Sequence, residues 1–197
     1  MKRIIQQLLS KCGYQISKKV DSQPFLNQSQ LSNLHELRRR GASIGENVDI
    51  LDNCIIDPDH CFHIKIGNNV TFAPNVHVLA HDASTKKFIG YTKVKNTTIG
   101  SNVFVGAGSL ILPGVKVGDN VIIAAGSVVT KDIPDDTVFG GNPAKQISTT
   151  SSYLEKMQES MIPENTFSDE YIYQNLNVNR INERVKSANL NKTIFIP

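Results

Sequence analysis

Four of the five histidines in this 197-residue chain, His60, His63, His77 and His81, lie close together in sequence. An imidazole titrates near neutral pH, so it can take a proton from a hydroxyl or serve as a neutral metal ligand. Aspartates flank two of them: Asp57 and Asp59 precede His60, and Asp82 follows His81. A general base is normally oriented by a third group. No glutamate occurs between Asn47 and Leu154, so that group is Asp82, Asp57, Asp59 or a backbone carbonyl, with Asp82 preferred. Cys61 stands beside His60 and raises the further option of a thiol nucleophile, whereas Cys54 is placed to point inward.

The element that must position these residues is a six-residue repeat. From Ile99 to Pro134 the chain reads Ile99-GSNVF, Val105-GAGSL, Ile111-LPGVK, Val117-GDNVI, Ile123-AAGSV and Val129-TKDIP. Each unit opens on an aliphatic residue, and its fifth position is small or β-branched. A period of six matches no helix face, which recurs at about 3.6 residues; it fits a short strand plus a turn, repeated. First and fifth residues then point inward, and Gly-Ser-Asn or Gly-Asp-Asn forms the corners. Earlier units begin at Ile44, Ile50 and Ile56, then, after four extra residues, at Ile66, Phe72 and Val78. A break from Ser84 to Thr98, rich in lysine, separates the two runs, and such an insertion maps to one face as a binding element. The arithmetic puts His60 fifth in the Ile56 unit and His81 fourth in the Val78 unit. Both are on the third side of successive coils, about 4.8 Å apart if the strands stack directly.

The repeat resembles the signature of the hexapeptide acyltransferases. The resemblance covers residues 44–147 and implies a mainly β fold, a left-handed parallel β-helix of about four coils (44–61, 66–83, 99–116 and 117–134). APNVHVLAHDAS resembles the maltose/galactoside O-acetyltransferase branch, and LAHDASTKKFIGYTKV looks like capsular or exopolysaccharide O-acetyltransferases. On that resemblance His81 is the catalytic base and Asn53 binds the acceptor. Asp59-His60 looks like the segment that carries catalysis in serine acetyltransferases, which makes His60 the second candidate. Acetyl-CoA is the implied co-substrate, bound at a cleft between subunits of a homotrimer by Ala107, Ala125, Thr130, Lys131 and Lys145. The implied reaction is direct acetyl transfer to a hydroxyl of a sugar or polysaccharide precursor, with a small-molecule or glycan acceptor. A serine-type or antibiotic O-acetyltransferase uses the same chemistry. The γ-carbonic anhydrases share the coil, but their three zinc histidines are spaced differently from His60, His77 and His81, so no metal is expected.

Composition bounds the rest. The chain is 40% hydrophobic and 20% charged with net charge +3 and no tryptophan, which suits a globular body and offers no stacking platform for nucleic acid. Scattered cysteines and a start that lacks a secretion-signal pattern point to the cytoplasm. Residues 1–43 form an N-terminal helical segment. Its basic amphipathic first helix, with Ile4, Ile5, Leu8 and Leu9 on one side, can pack on protein or make weak membrane-surface contact. A second helix is expected from about Ser29 to Arg40, stopped by Gly41. Residues 148–197 form a partly helical C-terminal tail, opened by a capping box at Ser152–Glu155.

Overall fold

The computed structural model describes residues 28–172, 175–189 and 193–196. The first amphipathic helix expected over Ile4–Ile16, and with it any membrane contact there, lies outside them. Helix α1 (Gln28–Arg39) is the expected second helix. Its Leu34 and Leu37 join the core, and Gly41 ends it at φ +99°. The Arg38 guanidinium donates to the Ile44 and Gly45 carbonyls and ties the helix to the first repeat.

The six-residue period builds three sheets that the chain visits in turn. The first holds β1 (Ser43–Ile44), β4 (Ile64–Ile66), β9 (Thr97–Ile99) and β12 (Lys116–Val117). The second holds β2 (Val48–Ile50), β5 (Val70–Phe72), β10 (Val103–Val105), β13 (Ile122–Ile123) and β15 (Thr137–Gly140), closed by antiparallel β16 (Lys145–Thr149). The third holds β3 (Ile55–Ile56), β6 (His77–Val78), β11 (Leu110–Ile111) and β14 (Val128–Val129). Pairing is parallel and in register from circuit to circuit, for example Ile56 with Val78 and Ile111 with Val129.

The inward positions are those the repeat dictates. In the run from Ile99 to Pro134 every first and fifth residue is buried, including Ser109 and Ser127. The serines cost little there because both hydroxyls donate to the Ala124 carbonyl. Between the first and second sheets, Asn47, Asn69, Asn102, Asn120 and Asp136 all adopt positive φ. Their side chains form a ladder with 3.0 Å between successive members. Asparagine and aspartate tolerate this left-handed conformation, and the ladder holds the circuits in register.

Two departures from the plain repeat build the site. The chain leaves the Ile56 unit through a 3-10 turn at Cys61–His63, and the last two of the four extra residues, Ile64 and Lys65, already belong to β4. The long insertion is shorter than the sequence pattern implies, because Thr97 and Thr98 already pair in the first sheet. What remains is an arm: β7 (His81–Asp82) pairs antiparallel with β8 (Lys93–Val94), and helix α2 (Lys86–Ile89) sits between them. Phe88, Ile89 and Tyr91 are exposed on it. Beyond the sheets come α3 (Thr150–Glu159) and α4 (Val178–Asn189). The cap of α3 is Thr149, whose hydroxyl accepts from the Ser152 N–H, so the Ser152–Glu155 box starts three residues too late. A 3-10 turn forms at Asp169–Tyr171, and Thr166 makes a single parallel bridge with Phe195.

Candidate active site

Strands of the third sheet end in a corner that leads back to the first sheet. Successive circuits place His60, His81, Leu112–Gly114 and Thr130–Lys131 along that edge. Stacking of β3 on β6 brings the imidazoles of His60 and His81 together, with ring centroids 4.5 Å apart and planes tilted by 34°. The backbone before His81 is held firmly. The buried Thr97 hydroxyl donates to the Leu79 carbonyl, and the Lys95 N–H donates to the Ala80 carbonyl.

Asp57 is the group that organises this corner. Its side chain is fully buried. Oδ2 accepts from the Ala80 N–H at 2.9 Å, the His81 N–H at 3.0 Å and the His81 ring Nδ1 at 2.5 Å. Oδ1 accepts from the His60 N–H at 3.2 Å and stands 3.7 Å from the His60 ring Nδ1. Burial pushes the carboxyl up, but the Ala80 N–H, the His81 side chain and the His60 N–H outweigh it and hold Asp57 below its ordinary range. An ionised carboxylate only accepts hydrogen bonds. His81 therefore donates from Nδ1, and the neutral ring then has its bare lone pair on Nε2, the arrangement a general base requires.

This corrects the preference for Asp82. Asp82 turns to Lys93 across the arm at 2.6 Å and accepts from the Ser84 N–H at 2.8 Å. Those two partners hold its carboxyl well below the ordinary range. It clamps the arm and does not orient His81. Asp57 carried a signal in the sequence: among the units from Ile44 onward, only the one at Ile56 has an acidic residue in second place, where the others have glycine, leucine, alanine or threonine. Asp59 is exposed.

The remaining candidates other than Lys145, which lies on β16 of the second sheet, divide between two edges of the third sheet. Thr130 and Lys131 share the His81 edge, two strands further along, about 10 Å away at ~4.8 Å per strand. Asn53 precedes β3, and Ala107 and Ala125 precede β11 and β14, so these three stand at the opposite ends of the strands. Within one protomer Asn53 is not brought to His81. Ala107 and Ala125 are brought together: the Gly126 N–H donates to the Ala107 carbonyl, and both alanines are exposed. Lys145 is exposed on β16, next to Ala144, whose N–H donates to the Val128 carbonyl of β14. The five donor candidates thus bracket the upper part of the third sheet. Cys61 is buried with its thiol facing the Leu37 and Arg40 carbonyls, which leaves it no access to a substrate. Burial pushes the Cys54 thiol up. Asp57, His60 and His81 offer ligand atoms within 4.8 Å of one another, close enough to gather a metal ion; His77 is not in that group.

Residues 96–131 match the family model described as bacterial transferase hexapeptide (six repeats). Protein CapG of Staphylococcus aureus is 41% identical over 131 residues, which are 64% of this chain and 76% of CapG. The chain belongs to the hexapeptide-repeat acetyltransferases. A galactoside O-acetyltransferase of Lactococcus lactis is 46% identical over 85 residues, 41% of this chain and 40% of that protein. Among solved structures, a galactoside acetyltransferase in complex with coenzyme A has a TM-score of 0.49 at 28% identity, covering 66% of this chain and 76% of that one. Membership accounts for the repeat and for enzymatic acyl transfer. Among the described residues no helix is long and apolar enough to cross a membrane.

Proposed function

We propose that this acetyltransferase moves an acetyl group from acetyl-CoA to a hydroxyl of a sugar or polysaccharide precursor, with His81 as the general base. The observation that carries the reading is the Asp57–His81 pair, a buried carboxylate bonded to Nδ1 of a quarter-exposed imidazole. The acceptor hydroxyl donates to His81 Nε2 and gives up its proton as its oxygen attacks the thioester carbonyl. The tetrahedral intermediate then collapses, the C–S bond breaks, and the proton on Nε2 passes to the departing thiolate. The products are the acetyl ester and the free thiol, and no covalent enzyme intermediate is needed. Asp57 acts as a positioning residue that steadies the imidazolium while it exists. A glycan acceptor draws support from the galactoside O-acetyltransferase relative.

In the same reading Ala107, Ala125, Thr130, Lys131 and Lys145 serve the donor. Glycine- and alanine-lined corners leave backbone open to an extended arm, and lysines suit its phosphates. Asn53 serves the acceptor of a neighbouring protomer, because it lies away from His81 in its own; a homotrimer would supply that neighbour. The cyclic order of the three sheets supports a parallel β-helix of about four coils as the body, over 44–147, between an N-terminal helical segment and a C-terminal tail, and the hexapeptide repeat supports left-handed winding.

Free thiol release from acetyl-CoA, measured with a panel of sugars and with L-serine, tests this. Sugar-dependent release should fall by about 10²–10⁴ in His81→Ala, the usual contribution of a general base. Loss confined to His60→Ala would transfer the chemistry to Asp59-His60 and refute the assignment.

A further inference from the structure

The two imidazoles at this corner face one carboxylate. His81 Nδ1 meets Asp57 Oδ2 at 2.5 Å, and His60 Nδ1 stands 3.7 Å from Asp57 Oδ1. The second contact is too long for a hydrogen bond, and His60 Nδ1 is a buried ring nitrogen with no hydrogen-bond partner. It is nevertheless under the direct influence of a buried negative charge. A lone pair aimed at the carboxylate would be repelled and an N–H attracted, so the charge favours the Nδ1–H tautomer in His60 as it does in His81. Within an imidazole, Nε2 lies across the ring from Nδ1. In the neutral imidazoles both Nε2 atoms are therefore turned away from Asp57, and each then offers a bare lone pair. The side chains are 27% and 28% exposed, and the rings are tilted by 34° with centroids 4.5 Å apart. One acid thus sets two neighbouring hydrogen-bond acceptors, where a lone general base would need one.

We infer that the acceptor is a cyclic vicinal diol: the hydroxyl to be acetylated donates to His81 Nε2 while its neighbour donates to His60 Nε2. This rests on the acetyl-transfer reading above. Two hydroxyls on adjacent ring carbons diverge, and hydrogen bonds of ~2.8 Å let them reach two acceptors carried on rings whose centroids are 4.5 Å apart. Phe62 supports the cyclic part of the inference. Phe62 is 57% exposed and its ring is centred 6.2 Å from that of His60, an apolar face for the C–H side of a sugar ring. His60 makes no bond to the reacting oxygen here. It selects and orients the acceptor through the adjacent hydroxyl.

The test crosses substrate with variant. kcat/KM is measured by thiol release for a pyranoside diol, for the analogue lacking only the neighbouring hydroxyl, and for L-serine, in wild type, His60→Phe and His60→Gln. A net hydrogen bond at a partly exposed site should make wild type prefer the diol over the deoxy analogue by about tenfold, mainly in KM. In His60→Phe the ratio should fall to within about twofold, and in His60→Gln, whose amide oxygen can accept, part of it should return. Because the ratio is internal to each variant, partial misfolding does not move it. A tenfold ratio that persists in His60→Phe, a wild type indifferent to the second hydroxyl, or L-serine outperforming every diol would each overturn the inference while acetyl transfer stands. Absence of thiol release with every acceptor would instead overturn the acetyl-transfer reading, and the diol with it.

Discussion

Replacing Asp57 with asparagine isolates the charge at the centre of the site. The amide oxygen can take the place of Oδ2 and still accept from the Ala80 N–H, the His81 N–H and the His81 ring. The amide NH₂ then takes the place of Oδ1 and faces the His60 N–H, which loses its acceptor. One such loss costs about 1–3 kcal/mol, which the fold should survive. Asp57→Ala would strip all of these donors at once and is the poorer variant. The charge itself is worth more to catalysis. With charge centres about 4 Å apart and an effective dielectric near 20, the carboxylate stabilises an imidazolium by about 4 kcal/mol. His81 is 28% exposed, so water screens part of this and leaves about 2–3 kcal/mol. At about 1.36 kcal/mol per decade, kcat should fall by about 30- to 150-fold. The assay is the initial rate of thiol release at saturating acceptor, with thermal unfolding recorded in parallel. Asp82→Asn is the control and should stay within about threefold, because that exposed pair serves only the arm. A folded Asp57→Asn enzyme within threefold of wild type, or equal damage from Asp82→Asn, would refute the argument.

The held-down carboxyl of Asp57 also shapes acid stability. Its folded value lies below the unfolded one, so its contribution is complete above the ordinary carboxylate range, near about pH 4, and is lost as pH falls through the folded value. Thermal unfolding followed from pH 6 downward should decline more steeply for wild type than for Asp57→Asn. Thr149→Ala removes the cap of α3 and should lower stability by about 1 kcal/mol in urea unfolding, whereas Ser152→Ala, which keeps the Ser152 N–H bond to Thr149, should cost less. Alkylation mapped by peptide mass at pH 8 should find Cys54 slower than a free thiol peptide, because burial pushes that thiol up, and Cys61 slower still, because it is buried.

Much of the architecture was legible in the residues alone. A period of six with aliphatic first positions leaves no helical solution, and its inward residues are determined by which side chains can be desolvated cheaply. The same counting brought His60 and His81 together across circuits, because in-register stacking of β3 on β6 puts their two units on the same side, only one repeat position apart. What the repeat could not determine were contacts made where it is broken. The 3-10 turn at Cys61–His63 and the arm at β7–β8 depart from the period, and their geometry depends on how each packs against the coil. Asp82 was adjacent to His81 in sequence, but the antiparallel pairing of β7 with β8 set Lys93 opposite it. Asp57 was remote in sequence, yet parallel stacking of β3 on β6 laid the Ala80 and His81 N–H groups over its carboxylate. Sequence distance orders covalent neighbours, whereas a buried charge settles where backbone donors converge on it, and only the stacked circuits decide where that is.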